Sequence, residues 1–390
     1  MEEAVEILEA DTEWGSVGRG GSLGYRCSIS HNRIVCPGTV DEAWTISAHA
    51  NSRLVIELKV AATIRGFMSG TSTWEPGNPT LFALNHGTLG VLYGPMECTS
   101  ELLLPPGRYV LQCLIRKQPH SRHSAWEIKP QARVPGPKLG ILTVGRYPLV
   151  DLPWKLKNFT RSAFRCNLIP TVLGAGKKPQ SWVHDKIIDV LEVLDSLEKT
   201  VTHVLFSDGS DSVLLNGEDH LLAEFEKLRT PFAISMERGC WPVHDPEWRE
   251  SFPDVLDNRR WPNAGGWMGT CEGVRAVLTE CMILYEQATR GGLQGRLSKW
   301  QQHAAYAHDD QWIFQLAYQN KRVPIMGDIE QRIFTNVGTA SRLLSGNPDY
   351  EFEAGKLRSI ASDSYPSVIH FSGGAWRDCQ DQWMAKLGLV

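Results

Sequence analysis

The sequence predicts an all-β region over residues 1–133 and, over residues 138–390, an α/β domain with a largely parallel sheet. Three observations carry that expectation. Residues 1 to about 130 read as short apolar runs separated by turn residues. A Pro/Gly-rich joint, Val134-Pro135-Gly136-Pro137, ends that rhythm. Beyond it, short apolar strands alternate with amphipathic helices, the pattern of an α/β sheet domain. A length of 390 residues agrees with two domains.

In the first region, Arg53 to Ile64 and Gly107 to Arg116 are strand-like, the latter with Tyr109, Leu111, Cys113 and Ile115 alternating on one face. Shorter runs, Leu81 to Leu84 and Val91 to Tyr93, lie between turn residues, and Pro105-Pro106-Gly107 turns directly into a strand. Several short strands at this spacing suggest a β-sandwich. Trp44, His49, Trp74, His123 and Trp126 either line a sugar-binding surface or fill the sandwich core. In the second region, Leu139 to Val144 is a buried-type strand, followed by a helix around Trp154 to Phe164 and a strand around Leu168 to Leu173. Trp182 to Leu197 is a second helix, with Ile187, Leu191 and Leu194 along one face. A strand ending at Asp208, a helix near Glu218 to Leu228 and a strand over Phe232 to Met236 complete the pattern.

Composition excludes several functions. Hydrophobic content of 42% with 22% charged residues describes a soluble globular protein. A net charge of −4 points away from nucleic acid and from a membrane surface, and no apolar stretch approaches a membrane span. The acidic start Met1-Glu2-Glu3 lacks the pattern of a signal peptide. Nine cysteines without a Cys-x-x-Cys pair indicate reduced thiols and a cytoplasmic location.

The chemistry concentrates in the second region. Val204 to Phe206 is an apolar strand leading into Ser207-Asp208-Gly209-Ser210-Asp211, so two carboxylates stand beyond its carboxyl end, where such sheets bind ligands. Two close carboxylates repel unless a positive group lies between them, and a divalent cation holding a diphosphate suits that place. Cys240-Trp241-Pro242 follows a strand, and Asn263-Ala264-Gly265-Gly266-Trp267-Met268-Gly269 reads as a glycine-rich turn that lets a ligand approach the backbone. Asp309-Asp310-Gln311-Trp312 opens a helix. Val368-Ile369-His370-Phe371-Ser372-Gly373-Gly374 is an apolar strand delivering one histidine to a small-residue loop. Gly174-Ala175-Gly176-Lys177-Lys178 lacks the residues of a P-loop, and no Gly-x-Ser-x-Gly elbow is present.

These motifs, in this order, resemble the glycosyltransferase domain of the procollagen lysyl hydroxylases over about residues 138–377, and more distantly other collagen-type sugar transferases. The resemblance extends to Asp328 through Asn336 and the strand around Glu351 to Leu357. It implies a GT-A fold, a UDP-sugar donor (UDP-glucose or UDP-galactose), and Mn²⁺ held by Asp208, Asp211 and His370. An imidazole beside two carboxylates suits Mn²⁺ better than Mg²⁺, although Mg²⁺ fits as a second choice. The same resemblance places Thr143, Trp182, Lys186, Asp208, Gly265, Gly266, Ser372 and Gly373 around the donor. It makes Asp309 and Asp310 the catalytic candidates, set against the transferring sugar. Ser372 departs from the family, where Asn is commoner. The acceptor is a hydroxyl of a peptide, glycan or small molecule. Two alternatives remain: a catalytically inactive carbohydrate-binding or scaffold protein, and a metal-dependent nucleotide-sugar hydrolase.

Overall fold

The computed structural model describes residues 138–147, 155–175, 177–255, 258–337, 349–353, 356–373 and 377–388, together with the backbone of the strands lying within residues 5–130. The chain forms two compact units, residues 1–137 with 147–177 and residues 138–146 with 178–390.

The first unit carries two antiparallel sheets. One has the order β3 (Ile34–Cys36), β1 (Val5–Ala10), β5 (Arg53–Leu58), β10 (Gly107–Leu114), β7 (Asn78–Asn85), β8 (Thr88–Tyr93). The other has the order β2 (Trp14–Arg19), β4 (Trp44–His49), β11 (His123–Pro130), β6 (Ala62–Ser69), β9 (Leu102–Leu104). The expected strand from Arg53 to Ile64 is two strands, β5 and β6, and they belong to different sheets. A run of apolar residues does not by itself show where a chain leaves one sheet for another. Trp74 and the side chains of Trp44, His49, His123 and Trp126 lie outside the described residues. The unit also contains α1 (Lys157–Arg165) and β13 (Pro170–Leu173), close to the expected helix and strand.

In the second unit the main sheet runs β12 (Leu139–Val144), β14 (His203–Ser207), β17 (Trp261–Thr270), β16 (Phe232–Glu237), β18 (Met326–Asp328). It is mixed rather than largely parallel. β12 pairs with β14 and β16 with β18 in parallel, whereas the central β17 is antiparallel to both neighbours. β17 contains the glycine-rich segment read from the sequence as a turn. Its glycines mark close approach and a bulge, two reasons for glycine inside a strand. An aromatic stack fixes this centre: Phe206 and Phe232 lie 5.1 Å and 5.6 Å from Trp267, and Phe314 lies 6.3 Å beyond Phe232. Phe314 belongs to α6 (Asp310–Asn320), which packs on β17.

Helices α2 (Asp189–Leu197), α3 (Glu218–Leu228), α4 (Pro246–Glu250) and α5 (Cys271–Thr289) occupy the connections. A three-stranded sheet, β15 (Ser212–Leu214), β22 (Val368–His370) and β19 (Phe334–Asn336), lies beyond the end of β14. A hairpin of β20 (Tyr350–Glu353) and β21 (Lys356–Ser359) and helix α7 (Arg377–Lys386) gather around buried Trp383, Leu357 and Phe371. Among the described residues no helix is long and apolar enough to cross a membrane.

Gly273 shows how tightly α5 docks. Thr270 caps the helix by accepting from the Gly273 N–H at 3.0 Å, and a Cβ on Gly273 would collide with the Pro231 carbonyl, which is backbone and cannot turn aside. Alanine favours a free helix by about 1 kcal/mol over glycine, but overpacking costs about 1–3 kcal/mol. Gly273→Ala is therefore expected to lower the urea midpoint; a rise would show that α5 has room to shift.

Candidate functional site

Two neighbouring sheets meet at the Asp208 turn. The β14–β17 ladder places Ser207 opposite Gly266, and the Asp208 N–H donates to the Gly265 carbonyl at 3.0 Å. The Gly209 N–H donates to Thr143 Oγ1 at 2.7 Å, and the Asp211 N–H donates to the Asp208 carbonyl at 3.3 Å, closing the turn. Thr143 is thus buried bracing the carboxylate turn. The small sheet starts one residue later, with Ser212 in register with His370 and Asn336 in register with His370 on its other side.

This convergence puts one ligand atom each from Asp208, Asp211 and His370 within 4.8 Å of one another. His370 is buried, with Nε2 3.6 Å from Asp211 Oδ1 and Nδ1 2.7 Å from Asn336 Oδ1. Burial works against its charging, but Asp211 and Asp208 outweigh burial and raise its pKa. Two carboxylates and an imidazole at this separation fit the donor set of a divalent cation.

Lys186 joins this cluster to the start of α6. Its Nζ lies 2.8 Å from Asp208 Oδ2 and 3.0 Å from Asp310 Oδ2, in buried surroundings. Burial opposes its charge, yet the two carboxylates raise its pKa, so it is held as a cation. The segment read from the sequence as one helix contains a π-helical turn, His184–Ile188, before α2. Such turns displace side chains from the α-helical rows, and this one carries Lys186. Arg146, just after β12, secures it with Nε 2.6 Å from Asp185 and Nη2 2.5 Å from Asp189. Trp182 is exposed, with its ring 5.2 Å from Lys186 Nζ.

The acidic pair at the start of α6 divides its work. Asp309 is the N-cap, accepting from the Gln311 and Trp312 N–H groups at 3.0 Å and 3.4 Å. Asp310 is buried against Lys186, and burial raises its pKa while Lys186 opposes that rise. Gly265 admits the His370 ring, since a Cβ there would overlap the imidazole, and Gly266 lies against Phe334. Ser372 is half-buried and Gly373 exposed with a φ of +105°.

Three polar residues beside the cluster were given no site role by the sequence reading, although Asn263 and Asn336 fall in segments it singled out. Asn263 and Asn336 both place Oδ1 by His370, and Glu237 at the end of β16 accepts from Gln311 Nε2 at 2.6 Å. Glu237 and Asn336 are the last residues of β16 and β19, much as Asp208 follows β14, and that strand-end position is the signal that would have marked them.

Residues 151–288 match the family model described as the PLOD GT domain. Procollagen-lysine,2-oxoglutarate 5-dioxygenase of Drosophila melanogaster is 23% identical over 177 residues, which is 44% of this chain and 21% of that protein. The chain thus contains a PLOD-like glycosyltransferase domain and spans about a fifth of that relative's length. Lys186, Asp208, Asp211, Glu237, Asn263 and Gly265 lie inside the matched segment; Asp309, Asp310, Asn336 and His370 lie beyond it.

Burial pushes the Glu237 carboxyl from an ordinary 4.5 up to about 7, against hydrogen bonds from Asn263 and Gln311. Between those pH values the folded chain keeps a proton that the unfolded chain releases, so stability falls as pH rises through the window. Glu237→Gln cannot ionise. Its stability relative to wild type is expected to improve by about 1–3 kcal/mol between pH 5 and pH 8. Denaturant unfolding at both pH values checks this; a constant difference would mean that Glu237 titrates normally.

Proposed function

We propose that the chain is a metal-dependent glycosyltransferase of GT-A fold that moves a hexose from UDP-glucose or UDP-galactose to an acceptor hydroxyl. The observation that carries this reading is the juxtaposition, in a PLOD-like glycosyltransferase domain, of a metal-ligating trio with Asp310 through one shared lysine.

Asp208, Asp211 and His370 would hold Mn²⁺, which supplies positive charge against the donor diphosphate and the charge that grows there as the sugar departs. Lys186 fixes the spacing between Asp208 on the donor side and Asp310, and adds positive charge beside the phosphates. The exposed face of Trp182 offers uracil a stacking surface, while Ser372 and the Gly373 backbone offer donors to the pyrophosphate. Asp310 would stand against the transferring sugar, where a buried carboxylate stabilises developing positive charge or orients a hydroxyl. Asp309 shapes the helix start that presents Asp310. The two antiparallel sheets of the first unit are proposed to form a sandwich that recruits the acceptor, a peptide, glycan or small molecule.

UDP is expected to bind with Mn²⁺ and much more weakly in EDTA, and Asp211→Ala or His370→Ala should remove most of the metal-linked affinity. Calorimetry giving one UDP affinity with and without metal would refute the reading. Turnover separates the acidic pair. Asp310→Asn removes charge while keeping size, and is expected to slow sugar transfer about 100-fold or more with UDP affinity little changed. Asp309→Asn should have the milder effect, because Asn caps a helix as well as Asp. If both folded variants transfer sugar at the wild-type rate, the pair is structural.

A further inference from the structure

We infer that Asn336, seconded by Asn263, locks His370 as the Nδ1–H tautomer and so presents Nε2 as a ligating lone pair; Asn336 is a positioning residue for the metal centre. This inference rests on the metal reading above.

A neutral imidazole has one N–H and one lone pair, and only the lone pair can ligate a metal. His370 Nδ1 lies 2.7 Å from Asn336 Oδ1 and 3.1 Å from Asn263 Oδ1. Amide oxygen and nitrogen are assigned by their partners, so the question is whether either amide could be reversed. Asn336 Nδ2 donates to the Met236 carbonyl at 3.2 Å, as well as to Ser235 Oγ at 2.6 Å. A carbonyl only accepts, so turning the amide would set oxygen against oxygen. Asn263 Oδ1 accepts from the Gly265 N–H at 2.9 Å, a group that only donates. Both amides are thus held by groups with a single role, and both turn oxygen toward Nδ1.

Nδ1 therefore carries the proton. The reverse tautomer would face two oxygens with a lone pair and leave buried acceptors unmade, at a cost of about 1–3 kcal/mol for each. In the neutral ring the Nε2 lone pair is then on the Asp211 side, with Nε2 3.6 Å from Oδ1. The rest of the fold holds this arrangement still. Register in the parallel β19–β22 pair sets Asn336 beside His370. Arg259 grips the Asn336 carbonyl with Nη1 at 3.2 Å while its Nη2 donates to Tyr350 Oη at 2.6 Å. On the opposite side, the bare Cα of Gly265 leaves just the space the ring fills.

The test uses the full-length chain and two readouts. Electron paramagnetic resonance titration gives Mn²⁺ affinity, and long-range ¹H–¹⁵N spectra of the imidazoles, with His370→Gln to assign the signal, give the tautomer without metal. Asn336→Leu keeps bulk but removes the acceptor, and is expected to weaken Mn²⁺ binding about 10–100-fold. Asn336→Asp retains an acceptor toward Nδ1 and, as the protonated acid in this buried place, keeps a donor for the Met236 carbonyl, so it should stay within about threefold of wild type, on the same scale of outer-shell effects. A purely structural role would move both variants together. Wild-type spectra taken where His370 is neutral and showing its one proton on Nε2 would overturn the inference even if Asn336→Leu fails to fold, as would equal Mn²⁺ affinity in wild type and folded Asn336→Leu. Absence of any Mn²⁺ binding by the wild type would instead sink the metal reading itself.

Discussion

The site is organised by an excess of acid. Electrostatic interaction runs from Asp208 to Asp310, from Asp310 to Asp309, and from Asp309 to Glu237, all partly or wholly out of water. Like charges in such surroundings drive carboxyl pKa values upward unless cations intervene. Lys186 answers at one end, shared between Asp208 and Asp310, while at the other burial, with Asp309 adding to it, raises the Glu237 carboxyl to about 7. The Lys186 contact therefore places one fixed cation between two of these carboxylates. A divalent cation at Asp208, Asp211 and His370 would be the remaining countercharge, which explains physically why one fold keeps so many acids together.

Backbone irregularities deliver these groups to one place. The β16–β17 register shifts between Ile234 and Ser235, leaving Ala264 to Gly266 bowed out between the pairs Ile234–Trp267 and Ser235–Asn263. That bulge brings Gly265 to both Asp208 and the His370 ring. The π-helical turn does the equivalent for Lys186. The short β15–β22–β19 sheet completes the set by placing Asp211, His370 and Asn336 on adjoining strand ends.

The parts of this site legible in the sequence are those in which a polar residue interrupts an apolar strand. Asp208, Asp211 and His370 stood out for that reason, and the Asp309 cap followed from its place before a helix. The central β17 was misread because glycines suit turns as well as strands, and only the neighbours that crowd them distinguish the two. Glu237 and Asn336 carry the same strand-end signal but lacked a partner in sequence; their meaning comes from register between strands about 100 residues apart, as the Asn336 to Ser235 bond shows. The π-helical turn preserves the apolar face of Ile187, Leu191 and Leu194, so hydrophobic periodicity passes through it unmarked.

The Arg146 cluster explains why a π-helical turn is retained. An arginine with carboxylates on both sides, all buried, is weak evidence for stability, since desolvation consumes much of the Coulomb attraction. What it does supply is direction. Asp185 and Asp189 flank Lys186 in sequence, and both are tied to a residue just beyond β12, whose Thr143 also braces the Asp208 turn. The same strand end therefore positions Asp208 from one side and the Lys186 helix from the other. A lysine on a long flexible stem would otherwise exchange between carboxylate and water; fixed at its base, and enclosed between Asp208 and Asp310, it holds one geometry. The buried ions are best understood as a frame that keeps Asp208 and Asp310 a constant distance apart.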